Sequence, residues 1–266
     1  NEDELNDYLI NFISKVNEVN NIHAMKIPTL PDIVRINDVN KGNISINNIP
    51  VGIIKKDLEI ASIDYLANLG NIITSNRLAN TSIVIKSLIK LFASLPNNVL
   101  MIIDPLKLLG LDNMTNYYTE NLSEVTDKII DYIKRLIEEK AINSGVIMIY
   151  GLNKFINKVD DNKKITELVK TIKSYEKISL IVVDDYNKIK GYAFESWFTE
   201  IFTVNDGLWI GRGMSDQNLF RLSTVNKEMT KDINNNMGYL VKENMGYLVK
   251  LIDFINNDEE VETYEQ

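Results

Sequence analysis

Cysteine is absent from the 266 residues, and histidine occurs once, as His23. Without thiols there are no disulfides, no thiolate metal sites and no cysteine nucleophile. A single imidazole excludes His-based catalytic triads and multi-histidine metal centres, and beside a helix end His23 reads as plain surface. Long apolar runs are missing too. No stretch approaches the roughly 20 residues that span a bilayer, and the first residues carry no signal-peptide pattern. The expectation is a soluble, intracellular chain. Opening on Asn1 rather than Met, it reads as a piece cut from a longer protein, the cytosolic end of a membrane protein included. Basic residues are the minority, 29 against 37 acidic, for a net charge of -8. Nucleic-acid binding needs a basic surface to displace phosphate counterions, so this balance works against it. Part of the acid is concentrated in Asp258, Glu259, Glu260, Glu262 and Glu265, which read as a solvated tail over residues 258–266.

What is present is a globular mix, 45% hydrophobic and 25% charged, in a length that suits one large α/β domain with an N-terminal extension. Leu5, Tyr8, Leu9, Phe12, Ile13, Val16 and Val19 share one helical face that needs something to pack on. Pro28 and Pro31 stop that helix in an extended IPTLPDI segment. Residues 1–48 are thus expected as a helix and linker packing on a main domain over 49–257, which opens with the strand Ile49-Pro50-Val51-Gly52. Apolar runs then alternate with amphipathic stretches. Strands are expected at Asn71–Ser75, Val99–Ile103, Val146–Ile149 and Ile178–Val183. Helices are expected at Asn80–Phe92, at Ser123–Glu139 (capped by Ser123, with Val125, Ile129, Ile133, Leu136 and Ile137 inward) and at Lys163–Ser174. This alternation predicts a doubly wound, mainly parallel sheet. Leu208–Gly213 and Leu219–Leu222 read as further strands. The heptapeptide NMGYLVK, at Asn236–Lys242 and again at Asn244–Lys250, reads as a turn or hairpin.

Between the NIIT strand and the next helix lies the loop Ser75-Asn76-Arg77-Leu78-Ala79-Asn80-Thr81-Ser82. A phosphate-binding loop at this place reads GxxxxGK(S/T), its amides wrapping the phosphates, its lysine reaching them and its hydroxyl on Mg²⁺. The length agrees, and Ser82 stands at the Mg²⁺ hydroxyl. The two glycines are replaced by Ser75 and Asn80 and the lysine by Thr81. Arg77 lies inside the loop and could partly replace the lysine, but Arg and Lys are not interchangeable in that geometry and it reads better as an exposed loop arginine. The acid that would hold Mg²⁺ at a strand end has two candidate places. Tyr150 ends the GVIMIY strand, while Asp184 and Asp185 end SLIVVDD. Strand order favours the Tyr150 position for the acid and the later strand for a polar sensor, leaving Asp184 and Asp185 as a strand-end and turn pair. The aromatic residues Trp197, Phe198, Phe202 and Trp209 could line an exposed groove. At helical spacing, Phe194, Trp197, Phe198 and Ile201 read better as a core stripe.

These pieces, in this order, resemble the FtsK/SpoIIIE-type ATPase domains of type VII secretion motors, the EssC and EccC family, with a P-loop NTPase (RecA-like) fold. The match is to the third, C-terminal domain of the Firmicutes type. IPTLPDI resembles the family's proline-containing linker and Ile49-Pro50-Val51-Gly52 its IPxG opening strand. Gly70 with NIITS resembles the strand before the P-loop, and FESWFTEIF with DGLWIGRGMSDQ the region after the sensor strand. The Asn-, Ile- and Lys-rich composition suits a low-GC Gram-positive genome, such as a staphylococcal one. The resemblance implies a membrane-anchored motor at the cytoplasmic face of the cell membrane, hexameric at work, exporting WXG100-type substrates. The residues that hydrolyse nucleotide do not carry over. The expectation is therefore a degenerate module that binds secreted substrates or neighbouring ATPase domains, monomeric as a fragment, with no cofactor beyond weak Mg-ATP. Set against it are an ATPase using Ser82 with Asp184 or Asp185 on Mg²⁺, and a DNA-translocating motor domain.

Overall fold

Apolar runs of four to six residues become the central strands, because only a strand covered on both faces can bury every side chain of such a run. The computed structural model describes residues 2–20, 29–39, 44–141, 143–159 and 162–253. His23, Pro28 and the acidic segment from Asp258 lie outside the described residues. The strands are β1 (Ile49–Ile54), β2 (Ile60–Ile63), β3 (Gly70–Ser75), β4 (Asn98–Ile103), β5 (Tyr117–Tyr118), β6 (Ser144–Tyr150), β7 (Ile178–Asp185), β8 (Gly207–Ile210), β9 (Met237–Lys242) and β10 (Met245–Leu251). They form one sheet in the order β2-β1-β10-β9-β8-β3-β7-β6-β4-β5. From β8 to β5 all pairings are parallel, and from β9 to β2 they are antiparallel.

The helices are α1 (Glu2–Asn20), α2 (Ile36–Val39), α3 (Ser82–Ser94), α4 (Leu122–Glu138), α5 (Leu152–Val159), α6 (Asn162–Tyr175), α7 (Tyr186–Lys190) and α8 (Ser196–Ile201). One sheet face is covered by α4, α5, α6 and α8, the other by α3 and the segment carrying Val34 and Val39. The result is the doubly wound P-loop NTPase arrangement, with strand β7 inserted between β3 and β6. Gly70, at the start of β3, lies under the Phe202 ring, where a Cβ would come within 2.6 Å of the ring. That contact docks α8 against the mouth of the central strand.

Several expectations need correction. The apolar face of α1 is not buried within the chain: Leu5, Tyr8, Leu9, Phe12, Ile13 and Val16 are all exposed. Val34, by contrast, is fully buried and bridges to Ile252, so the linker packs where the helix does not. Helix α4 starts one residue before Ser123, and its N-cap is Asn121 in a left-handed conformation (φ 52°), which Asn tolerates better than most residues. Ile137 is exposed at the last turn of α4. Leu219–Leu222 forms no strand, although Leu219 and Phe220 are buried. Phe194 is 90% exposed. It precedes α8, which begins at Ser196, so the helical period does not extend back to it. Trp197, Phe198, Phe202 and Trp209 are buried, which removes the exposed groove at these residues. The repeated heptapeptide is the β9–β10 hairpin, turning through Glu243 and Asn244, both at positive φ.

Candidate functional site

The loop that follows β3 is closed by its own chain. Ser75 and Asp185 are register partners on β3 and β7, which brings the β7 carboxylates alongside the loop. The loop residues Leu78–Thr81 form a 3-10 turn rather than an open nest of amides, with Asn80 N–H donating to Arg77 O at 2.9 Å. The Leu78 side chain is buried in the core beneath α3, which pulls the turn down onto the sheet. Its backbone N–H, an amide that a phosphate-binding loop would offer to its anion, donates instead to Asp185 Oδ1. Lys188 then holds Asp185 from one helical turn on, with Nζ 2.7 Å from Oδ2.

At the lysine position, Thr81 is fully buried and its hydroxyl donates to Leu78 O at 2.7 Å. Tyr150, at the acid position, donates to the same carbonyl at 2.9 Å and lies 3.3 Å from Thr81 Oγ1. Burial pushes the Tyr150 phenol up to about 12, mainly by desolvation, so it is a neutral donor and not a base. Ser82 Oγ, at the Mg²⁺ position, donates to Ala79 O at 3.1 Å. Asn80 Nδ2 reaches Ser75 Oγ at 3.4 Å, and Asn76 Nδ2 donates to Arg212 O at 3.0 Å. The Asn76 contact relies on Gly213, whose φ of 89° and absent Cβ leave room for the Asn76 amide. Arg77 and Ala79 are exposed at the mouth of the loop.

Asp184 is only 1% exposed and is spent on structure. It accepts from the Asn153 N–H at 2.8 Å and from Asp185 N–H at 2.8 Å, and pairs with Lys188 at 3.2 Å. Its carboxylate thereby joins the end of β7 to the start of α5. A group of three or more potential metal ligands does not occur among the described residues. The structure thus brings Ser75, Leu78, Thr81, Tyr150, Asp184 and Asp185 together. Sequence reasoning missed Lys188 and Asn153. The signal for Lys188 was the i,i+3 and i,i+4 spacing from the two aspartates; Asn153 acts through its backbone, which leaves no signal in residue type. Among the described residues, the groups a Mg-nucleotide would use here already have partners within the chain: the Leu78 amide, the hydroxyls of Thr81, Ser82 and Tyr150, and the carboxylates of Asp184 and Asp185.

No family model matches the chain, and no curated protein matches it. Solved structures do. The chain is similar to the cytoplasmic domain of EssC, at 16% identity and TM-score 0.68, covering 96% of this chain and 54% of that one. It is similar to EssC ATPases 2 and 3 from Geobacillus thermodenitrificans, at 19% identity and TM-score 0.69, covering 91% and 49%. A third likeness is to Thermomonospora curvata EccC ATPases 2 and 3 in complex with a signal sequence peptide, at 12% identity and TM-score 0.63, covering 86% and 45%. The chain spans about half the length of these solved chains. Its fold is that of the EssC and EccC ATPase domains.

Proposed function

We propose that this chain is a non-hydrolysing ATPase-fold module of an EssC/EccC-type type VII secretion motor. It acts by binding protein, either secreted WXG100-type substrates or neighbouring ATPase domains, at the cytoplasmic face of the membrane. The observation that carries this reading is the Leu78 amide donating to the chain's own Asp185, with Thr81 and Tyr150 closing on the Leu78 carbonyl. A loop sealed in this way meets a phosphate with its donors already used. Oxyanion and phosphate donors typically contribute several kcal/mol each to the transition state, so their loss reduces turnover by orders of magnitude. Nucleic acid is not the ligand in this reading, because the chain carries a net charge of -8. Fold alone does not separate these roles, so the reading rests on the loop.

Titration calorimetry with Mg-ATP, beside a phosphate-release assay on the same preparation, tests it. The expected result is no saturable heat in the micromolar range and no release above buffer. Turnover that disappears in Ser82→Ala would overturn the reading and make the domain an ATPase with unconventional ligands.

A further inference from the structure

The sheet ends on an incomplete edge. Strand β4 pairs with β6 along its whole length, from Asn98 to Ile103. On its other side only Ile102 and Ile103 meet β5. Among the described residues no strand lies beside Asn98–Met101, so this stretch of β4 offers its edge outward. Helix α4 runs alongside, and between it and the strand edge lies a groove of about 440 Å³. Asn98, Leu100, Tyr118, Lys128, Tyr132 and Arg135 are among the residues that line it.

The charge of this groove is opposite to that of the molecule. The chain has a net charge of -8, yet the groove lining includes Lys128 and Arg135 and no carboxylate. Lys128 is held by Glu124, one turn back on α4, at 2.6 Å. The Arg135 guanidinium lies over the Tyr132 ring at 5.9 Å. Asp131 and Glu138 line an adjoining depression on α4 together with Lys128, Lys134 and Arg135, and neither carboxylate lines the groove itself.

We propose that this groove takes an extended, acidic segment of a partner protein, which adds as a further strand to the outer edge of β4. An open strand edge presents N–H and C=O groups in the register that another strand needs, and peptide-binding domains use that template repeatedly. The four edge residues span roughly 13 Å at ~3.3 Å per residue, enough for a segment of about four to six residues. One face of such a segment meets Ile129, Met101 and the half-buried rings of Tyr118 and Tyr132, amphipathic anchors of the kind that dominate interfaces. Carboxylates along it reach Lys128 and Arg135. The inference rests on the protein-binding half of the function proposed above and not on its nucleotide half.

Fluorescence anisotropy with a synthetic peptide alternating Val and Glu tests it. The controls are the same peptide with Lys for Glu, and a Val-Glu peptide N-methylated at alternate backbone amides. The acidic peptide is expected to bind about tenfold or more tightly than the lysine peptide, with affinity falling as salt rises. N-methylation on the strand-facing side removes binding. Lys128→Gln with Arg135→Gln, both exposed, weakens it at least tenfold with only a small fall in the urea midpoint from the lost Glu124 pair, and the Leu100 amide resonance shifts on titration of the unsubstituted protein. Equal binding of the lysine peptide, or acidic-peptide binding that survives the double substitution, overturns the proposal. So does the absence of binding by all three peptides. Each of these leaves the nucleotide reading standing, whereas Mg-ATP binding in calorimetry sinks that reading and leaves the groove.

Discussion

The loop after β3 and the outer edge of β4 lie three strands apart in one sheet, roughly 14 Å at the usual strand spacing. They treat hydrogen bonds in opposite ways. At the loop, the amide of Leu78, the hydroxyls of Thr81, Ser82 and Tyr150 and the carboxylates of Asp184 and Asp185 all find partners within the chain. At the edge, alternate residues of β4, Asn98 and Leu100, turn their N–H and C=O to the free side beside two cations, while Val99 and Met101 pair toward β6. A fold's customary ligand site and its available binding capacity need not coincide. Here the site is internally satisfied and the capacity is at the rim.

The sharpest way to break this contrast is at the most buried of these groups. Asp184→Ala removes the acceptor of two backbone amides and leaves Lys188 with one carboxylate fewer. It is expected to lower unfolding free energy by about 3 kcal/mol in urea titrations, as loss of a buried, multiply bonded acid does. An unchanged midpoint would mean that the β7–α5 junction is held elsewhere. Asp185→Ala has a smaller effect, about 1.5 kcal/mol, because its carboxylate is partly exposed, 28% of the side chain by area. Its specific signature is local: hydrogen exchange at the Leu78 amide speeds up while amides in β6 keep their protection. Uniform acceleration across the sheet would count against Asp185 as the closure of the loop.

Tyr150→Phe is milder still, about 1 kcal/mol for one buried neutral hydrogen bond. It also carries a pH test. The folded-state phenol ionises near 12 against an ordinary 10.0. Between those values the unfolded chain gives up the proton before the folded one does, so stability falls as pH rises from about 10 to 12. The Phe variant is expected to show a shallower decline. Some slope remains, since burial also raises Tyr65 and Tyr117. An identical slope in both proteins would place the Tyr150 hydroxyl in contact with solvent.

Much of this was legible in residue order. Val99–Ile103, Val146–Ile149 and Ile178–Val183 lie inside β4, β6 and β7, and Asn71–Ser75 inside β3, because continuous apolar runs have no other place in a two-sided sheet. The residue types at the loop were legible as well: Thr81 and Tyr150 stand in the sequence without need of coordinates. Phe194 and Ile137 were misplaced for a common reason. Periodicity assumes that a helix continues, and both lie at or beyond a helix end. The face of α1 shows a different limit, since an apolar stripe states that a surface needs cover and not what supplies it.

By itself, then, the sequence determined the layered α/β architecture, the place of the loop between strand and helix, and the residue types, Thr81 and Tyr150, that stand there. These follow from local pattern and side-chain chemistry, which require no knowledge of distant neighbours. Only the tertiary structure decided what fills the vacated loop. Asp185 and Leu78 are 107 residues apart, and Tyr150 and Leu78 are 72 apart. Their meeting depends on β7 being inserted beside β3, a register that no local pattern encodes. The open edge of β4 was likewise decided in three dimensions, because β5 pairs with only the last two residues of a strand whose apolar run is continuous in sequence.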